Sequence, residues 1–188
     1  MQIILASASP RRQELLRQVG VSFTVEPSHV DEQVSEPMGP GQLVQHLALI
    51  KARAIAARNP DALVIGADTI VVVDEEILGK PADRSEAIAM LERLAGREHQ
   101  VMTGVALIRG RREQVAHEET TVRFGPLTRE QIERYVDSGE PMDKAGAYGI
   151  QGRAAALIQS ITGDYFNVVG LPIYRTVQML SEFGVTVL

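Results

Sequence analysis

The chain has 188 residues, enough for one domain or two small lobes with a real core. Apolar residues make up 45% and charged residues 23%, which is globular composition and excludes a disordered tail. Nineteen Lys and Arg against 24 Asp and Glu give a net charge of −5, which argues against a general nucleic-acid or anionic-membrane binder, and an anionic substrate then requires a local cluster of cations.

Residues 2–6 form a short apolar run that reads as a buried strand. Ser9 and Pro10 then open a helix as N-cap and first helical residue, with Leu15, Leu16 and Val19 on its apolar side and Gly20 at its end. Residues 21–25 predict a second short strand, and the polar, Pro- and Gly-containing stretch 26–41 a loop. Residues 42–58 repeat at helical spacing, with Leu43, Leu47, Ile50 and Ala54 on one face. The most apolar stretch, 62–73, predicts the central strand. Asp83 and Glu86 predict a capping box ahead of Ala87, Met90, Leu91 and Leu94. Val101, Thr103, Val105 and Leu107 alternate, as do Thr120, Val122 and Phe124, and Gly110 between them predicts antiparallel neighbours. Thr128 and Gln131 open another helix through Ile132 and Val136, residues 155–161 read as a late strand, and Pro172 starts a last helix with Ile173, Val177 and Leu180 inward. This order is not a strict βα alternation, so it predicts an α+β protein with a mixed sheet, and the Gly/Pro-rich breaks suggest two lobes around a cleft.

Five segments could carry chemistry. In Ser7-Ala8-Ser9-Pro10-Arg11-Arg12 a helix start and two arginines coincide. Free N–H groups, the helix dipole and guanidinium forks all suit phosphate, although a capped helix with two solvated arginines fits the same residues. Asp68, in Gly66-Ala67-Asp68-Thr69, places a carboxylate in the most apolar run. That is costly unless the group is paired, hydrogen-bonded, catalytic or metal-bound. Asp31-Glu32 could add carboxylates for a hard divalent cation, or could be a solvated loop pair. Gly79-Lys80-Pro81 fails the P-loop pattern, because Asp74 stands where Gly is needed and Pro81 where Ser or Thr is needed. Lys80, and Lys51 on the long helix, remain candidate point charges for phosphate, and Arg12 and Lys80 both read as exposed cations. Residues 143–152 hold three glycines that allow close backbone approach, and Gln151 among them has the donor and acceptor that suit a base edge.

Other chemistries fail. Cysteine is absent, so disulfides, zinc knuckles and thiol nucleophiles are excluded, and His29, His46, His99 and His117 lack ligand spacing. Aromatics at 4% without Trp make a base-stacking surface for single strands improbable. Arg11-Arg12 follows the first apolar run instead of preceding it, unlike a signal peptide, and no window approaches the roughly 18 apolar residues of a membrane span. The expected compartment is the cytoplasm.

Leu5-Ala6-Ser7-Ala8-Ser9-Pro10-Arg11-Arg12-Gln13-Glu14-Leu15-Leu16 resembles the N-terminal signature of the Maf proteins. Gly66-Ala67-Asp68-Thr69, Gly79-Lys80-Pro81, Thr103-Gly104-Val105, residues 143–152 and Val169-Gly170-Leu171-Pro172 match further blocks in the same order. The resemblance implies one inosine-triphosphatase-like α/β domain over residues 1–188, with an elongated mixed sheet and two lobes around a deep cleft. It implies a nucleoside triphosphate pyrophosphatase with a divalent cation (Mg2+ or Mn2+), a cytoplasmic location and a homodimer, while the acidic charge balance leaves no nucleic-acid or membrane partner expected. Asp68 falls on the proton-acceptor position and, with Glu32, on the metal-binding one. Arg12, Thr69 and Gln151 fall on specificity positions, and Ser7, Glu32, Lys51 and Lys80 on further cleft positions, so Ser7, Arg11, Arg12, Lys51 and Lys80 are the expected phosphate-binding residues. Arg11-Arg12, Ala67-Asp68-Thr69 and Gly149-Ile150-Gln151-Gly152 resemble the dTTP/UTP group. The 7-methyl-GTP group carries Trp-Arg, Ser-Asp-Gln and Lys-Ser-Glu-Gly at those places. Two rivals are a regulator of septum formation that acts by binding a partner, and a nucleotide sensor that does not hydrolyse. A pure binding module does not need a buried Asp68 among cations, and a pyrophosphate-release assay with metal separates both rivals from the enzyme.

Overall fold

The first strand, β1 (Ile3–Leu5), is fully buried, and the chain leaves it through Ser7 to Ser9 into α1 (Pro10–Gln18). The Ser9 side chain caps the Arg12 N–H and Pro10 fills the first turn, as the sequence predicts. Then come β2 (Thr24–Val25), α2 (Pro40–Ala56), β3 (Leu63–Val73), β4 (Glu76–Leu78), α3 (Arg84–Leu94), β5 (Glu98–Arg109) and β6 (Arg112–Phe124). The chain closes with α4 (Arg129–Val136), three short 3-10 turns, β7 (Ile158–Thr162), α5 (Tyr165–Val169) and α6 (Ile173–Glu182). This computed structural model describes residues 1–34 and 36–187.

The sheet has seven strands in the order β2-β1-β3-β5-β6-β7, with β4 paired to β3. β1 runs parallel to β2 and β3, whereas β3–β4 and β6–β7 are antiparallel, so the sheet is mixed as expected. β3 lies inside the order and ten of its eleven residues are buried. Its apolar run, interrupted by Gly66, Asp68 and Thr69, fits a strand covered on both faces.

The chain divides into two compact units. The first comprises Met1–Asp68, Thr103–Glu118 and Gly170–Leu188, and part of its core packs Ile4, Ala6, Val64, Ala106 and Ile108 with Ala48, Ala52 and Ile55 of α2. The second comprises Thr69–Met102 and Glu119–Val169, and its core joins Val71 and Val73, Leu91 and Leu94 of α3, Val122 and Phe124, and Tyr135 of α4.

Several expectations shift. The inward face of α2 is Val44, Leu47, Ala48, Ala52 and Ile55, not Leu43, Leu47, Ile50 and Ala54, which except for Leu47 are half-buried. Small Ala48 and Ala52 carry the close approach to the sheet, and a reading weighted toward large side chains rotates the face away from them. The late strand starts at Ile158, because residues 153–156 turn in a 3-10 helix. In α6 the buried positions are Ile173, Thr176, Met179 and Leu180. Thr176 reaches the interior because its hydroxyl donates to the Pro172 carbonyl at 2.8 Å. The five-residue α5 is too short to leave a periodic pattern.

Candidate active site

Two residues without side chains bring α2 down onto the sheet. A Cβ on Gly66 of β3 would overlap the Ala48 carbonyl oxygen and lie 2.9 Å from the Ala52 Cβ. A Cβ on Gly104 of β5 would overlap the Val44 carbonyl. Gly66 and Asp68 are two residues apart on β3, so they share the face that α2 covers. Lys51 follows Ala48 by three residues, nearly one helical turn, and is therefore delivered beside Asp68. Its Nζ donates to Asp68 Oδ1 at 2.6 Å and meets Glu32 Oε1 at 2.9 Å. Asp68 is only 9% exposed, and a carboxylate that buried requires a partner, which Lys51 provides. Glu32 reaches in from the loop ahead of α2, and its side chain is about half exposed.

The start of α1 closes on the same strand. Buried Ser7 accepts through Oγ from the Ser9 N–H at 3.3 Å and from Arg12 Nη1 at 3.1 Å. Arg12 Nη1 also donates to the Ala67 carbonyl at 2.8 Å, and Nε to the Gly170 carbonyl at 2.8 Å. Arg12 is thus anchored to the peptide that precedes Asp68. Burial pushes its guanidinium down from the ordinary value, Asp68 pushes it back up, and neighbouring Arg11 pushes it further down. Arginine keeps its charge through such a shift.

Ser7, Arg12, Glu32, Lys51 and Asp68 therefore come together within the first unit, with half-buried Arg11 next along α1. The expectation that Arg12 is a plain exposed cation is corrected. It is half-buried and fastens α1 to backbone carbonyls. Thr69, half-buried, follows Asp68 along β3 and so faces the other side of the sheet. Lys80 and Gln151 belong to the second unit, and both are exposed. Gly79 precedes no helix start; its carbonyl accepts from the Gly146 N–H at 3.0 Å, so this segment is no P-loop. Sequence reasoning missed Gly104 as a packing position and Glu140 altogether. The tight spacing under α2 had a signal in Gly66 and Gly104 on neighbouring strands, but Glu140 is one carboxylate in a polar turn and carried none.

Among the described residues no group of three or more His, Cys, Asp or Glu could hold a metal ion. The carboxylates of Glu32 and Asp68 are hard oxygen donors that both face Lys51 Nζ, a position already chosen by positive charge. Two such donors fit a hard divalent cation that takes its remaining ligands from water and phosphate.

Solved structures share the fold. The Ham1 protein of Coxiella burnetii matches with a TM-score of 0.54 at 19% identity, over 97% of this chain and 99% of that one. The Staphylococcus aureus Ham1 protein matches with a TM-score of 0.50 at 15% identity, over 66% and 72%. The mixed sheet and its order define an α/β protein with the fold of these Ham1 proteins. Within that class, residues 2–183 match the family model described as Maf-like protein. The dTTP/UTP pyrophosphatase of Symbiobacterium thermophilum is 70% identical over 183 residues, 97% of this chain and 94% of that relative. The dTTP/UTP pyrophosphatase of Moorella thermoacetica is 54% identical over 188 residues, 99% and 97%. The chain belongs to the Maf family.

Proposed function

We propose that the chain is a nucleoside triphosphate pyrophosphatase that converts dTTP and UTP to the monophosphate and pyrophosphate. The observation that carries this reading is the buried Asp68–Lys51 pair beside Arg12 and the N-terminus of α1, in a chain 70% identical to a dTTP/UTP pyrophosphatase. Lys51, Arg11 and Arg12 set three cations against the carboxylates of Asp68 and Glu32, which supplies the local positive charge that a chain of net charge −5 needs for a polyanion.

Asp68 takes a proton from the water that attacks the α-phosphorus. The bond from that phosphorus to the α–β bridging oxygen breaks, the water oxygen stays on the monophosphate, and pyrophosphate leaves. Arg11, Arg12, Lys51 and Lys80 offset the charge that builds on the phosphate oxygens. Ser7 holds Arg12 at its working position. A divalent cation held by Glu32 and Asp68 would neutralise the triphosphate and polarise it as a Lewis acid. Gln151 pairs with the base and Thr69 contributes to nucleotide selection.

Hydrolysis in 18O-labelled water tests the bond assignment. One labelled oxygen in the nucleoside monophosphate, with unlabelled pyrophosphate, is expected. Label in orthophosphate would point to cleavage at the γ-phosphorus and overturn the reading, and binding without release would favour a sensor. No observation favours the septum-regulator reading. A cytoplasmic location and a homodimer stay as what the family resemblance implies.

A further inference from the structure

The segment that presents Gln151 is held from behind. Residues 149–152 close a turn through the Gly152 N–H and the Gly149 carbonyl at 3.1 Å, with Gln151 exposed at its tip. Both ends of that turn lead to one carboxylate. Glu140 Oε2 accepts from the Arg153 N–H at 2.9 Å, and Oε1 from the Ala154 N–H at 3.5 Å. Oε1 also accepts from the Tyr135 hydroxyl at 2.9 Å, and that hydroxyl in turn accepts from the Gly149 N–H at 3.3 Å. The carboxylate lies so close beneath the turn that a Cβ on Gly152 would overlap it. Tyr135 is 5% exposed, so its ring is fixed by the core of the second unit.

We infer that Glu140 is a positioning residue for base selection, acting through the 149–152 turn on Gln151. This inference rests on the reading of Gln151 as the residue that meets the base. A glutamine on a loose loop offers its amide to any edge, and selection requires that the backbone beneath it be held within about 0.5 Å. Glu140 provides that hold from three donors, and Tyr135 extends it to the far end of the turn. Burial pushes the Glu140 carboxyl up, but the hydrogen bonds from Arg153, Tyr135 and Ala154 outweigh it and keep the group below its ordinary value. The clamp is therefore ionised at neutral pH, and charge-assisted bonds are the stronger kind.

The test is kcat/KM for UTP and for CTP in wild type, Glu140→Gln, Tyr135→Phe, Gln151→Ala and the Glu140→Gln/Gln151→Ala double variant. In Glu140→Gln an amide NH2 replaces one acceptor oxygen and faces a backbone N–H. The UTP/CTP ratio is expected to fall about tenfold, the size of one lost base contact, mainly through KM for UTP. Tyr135→Phe, which removes only the Gly149 and Glu140 contacts of one hydroxyl, should shift the ratio in the same direction, and it carries the test if Glu140→Gln fails to fold. In the double variant the ratio should equal that of Gln151→Ala alone. Equal rate losses for both nucleotides, or an additive double variant, would make Glu140 a structural group and overturn the inference while Gln151 kept its role. A Gln151→Ala variant with the wild-type ratio would instead overturn the reading of Gln151, and Glu140's role in selection with it.

Discussion

Gly66→Ala adds one methyl group on the face of β3 that α2 covers, and the structure assigns it a cost in both stability and rate. The new Cβ would meet the Ala48 carbonyl and stand 2.9 Å from the Ala52 Cβ. Carbon atoms sit comfortably at about 3.5–4.0 Å, so α2 must retreat by more than about half an ångström. Overpacking of this kind typically costs about 1–3 kcal/mol. The retreat also carries Lys51 away from Asp68, whose separation is now 2.6 Å. Misplacement by about 1 Å near the chemistry can lower rates by about 10²-fold. The assay is a urea denaturation midpoint alongside kcat/KM for pyrophosphate release from UTP, with Gly104→Ala as a parallel case because its Cβ would overlap the Val44 carbonyl of the same helix. A Gly66→Ala protein with wild-type stability and wild-type turnover would refute the claim that this helix contact sets the Lys51–Asp68 geometry.

Three further outcomes are expected. Arg12→Ala should lose about 2 kcal/mol or more in denaturant unfolding, because the Ala67 and Gly170 carbonyls lose their donors, whereas Lys80→Ala, on an exposed side chain, should stay within about 0.5 kcal/mol. Gln151→Ala should lower the UTP/CTP ratio of kcat/KM by about tenfold or more, since CTP presents an amino donor where UTP presents an acceptor; an unchanged ratio counts against Gln151 as the base reader. Burial, and secondarily Arg97, pushes the fully buried His99 down to about 4, so between pH 6.5 and 4 the unfolded chain binds the extra proton and stability falls on acidification. That contribution amounts to about 3 kcal/mol by the low end, and it should vanish from the pH dependence of His99→Gln.

Most of the element order was legible because it rests on local chemistry. Ser9-Pro10, Asp83 and Thr128 each cap the helix that follows. Even here the second half of the Asp83 box differs, since the Glu86 carboxylate accepts from the Ala82 N–H instead of the cap. The face of α2 was misread because its contact is made by Ala48 and Ala52 against Gly66, and small residues leave a weak hydrophobic period. Asp68 stood out as a lone carboxylate in the apolar strand, and Lys51 as one candidate cation among many. Their pairing depends on which helix lies over which strand, and no spacing in the sequence states that. Glu140 escaped for the same reason, because its partners lie at positions 135, 149, 153 and 154 and meet only after the turn has folded.

The central claim is that Asp68, buried and held by Lys51, performs the proton transfer. Its most direct test is the single-turnover rate of pyrophosphate release from UTP by Asp68→Asn, with the fold checked by circular dichroism and UTP binding measured separately. The account expects a folded protein whose rate falls by about 10²–10⁴-fold or more, the usual range for loss of a general base. Release of pyrophosphate at near the wild-type rate from the folded variant would contradict it.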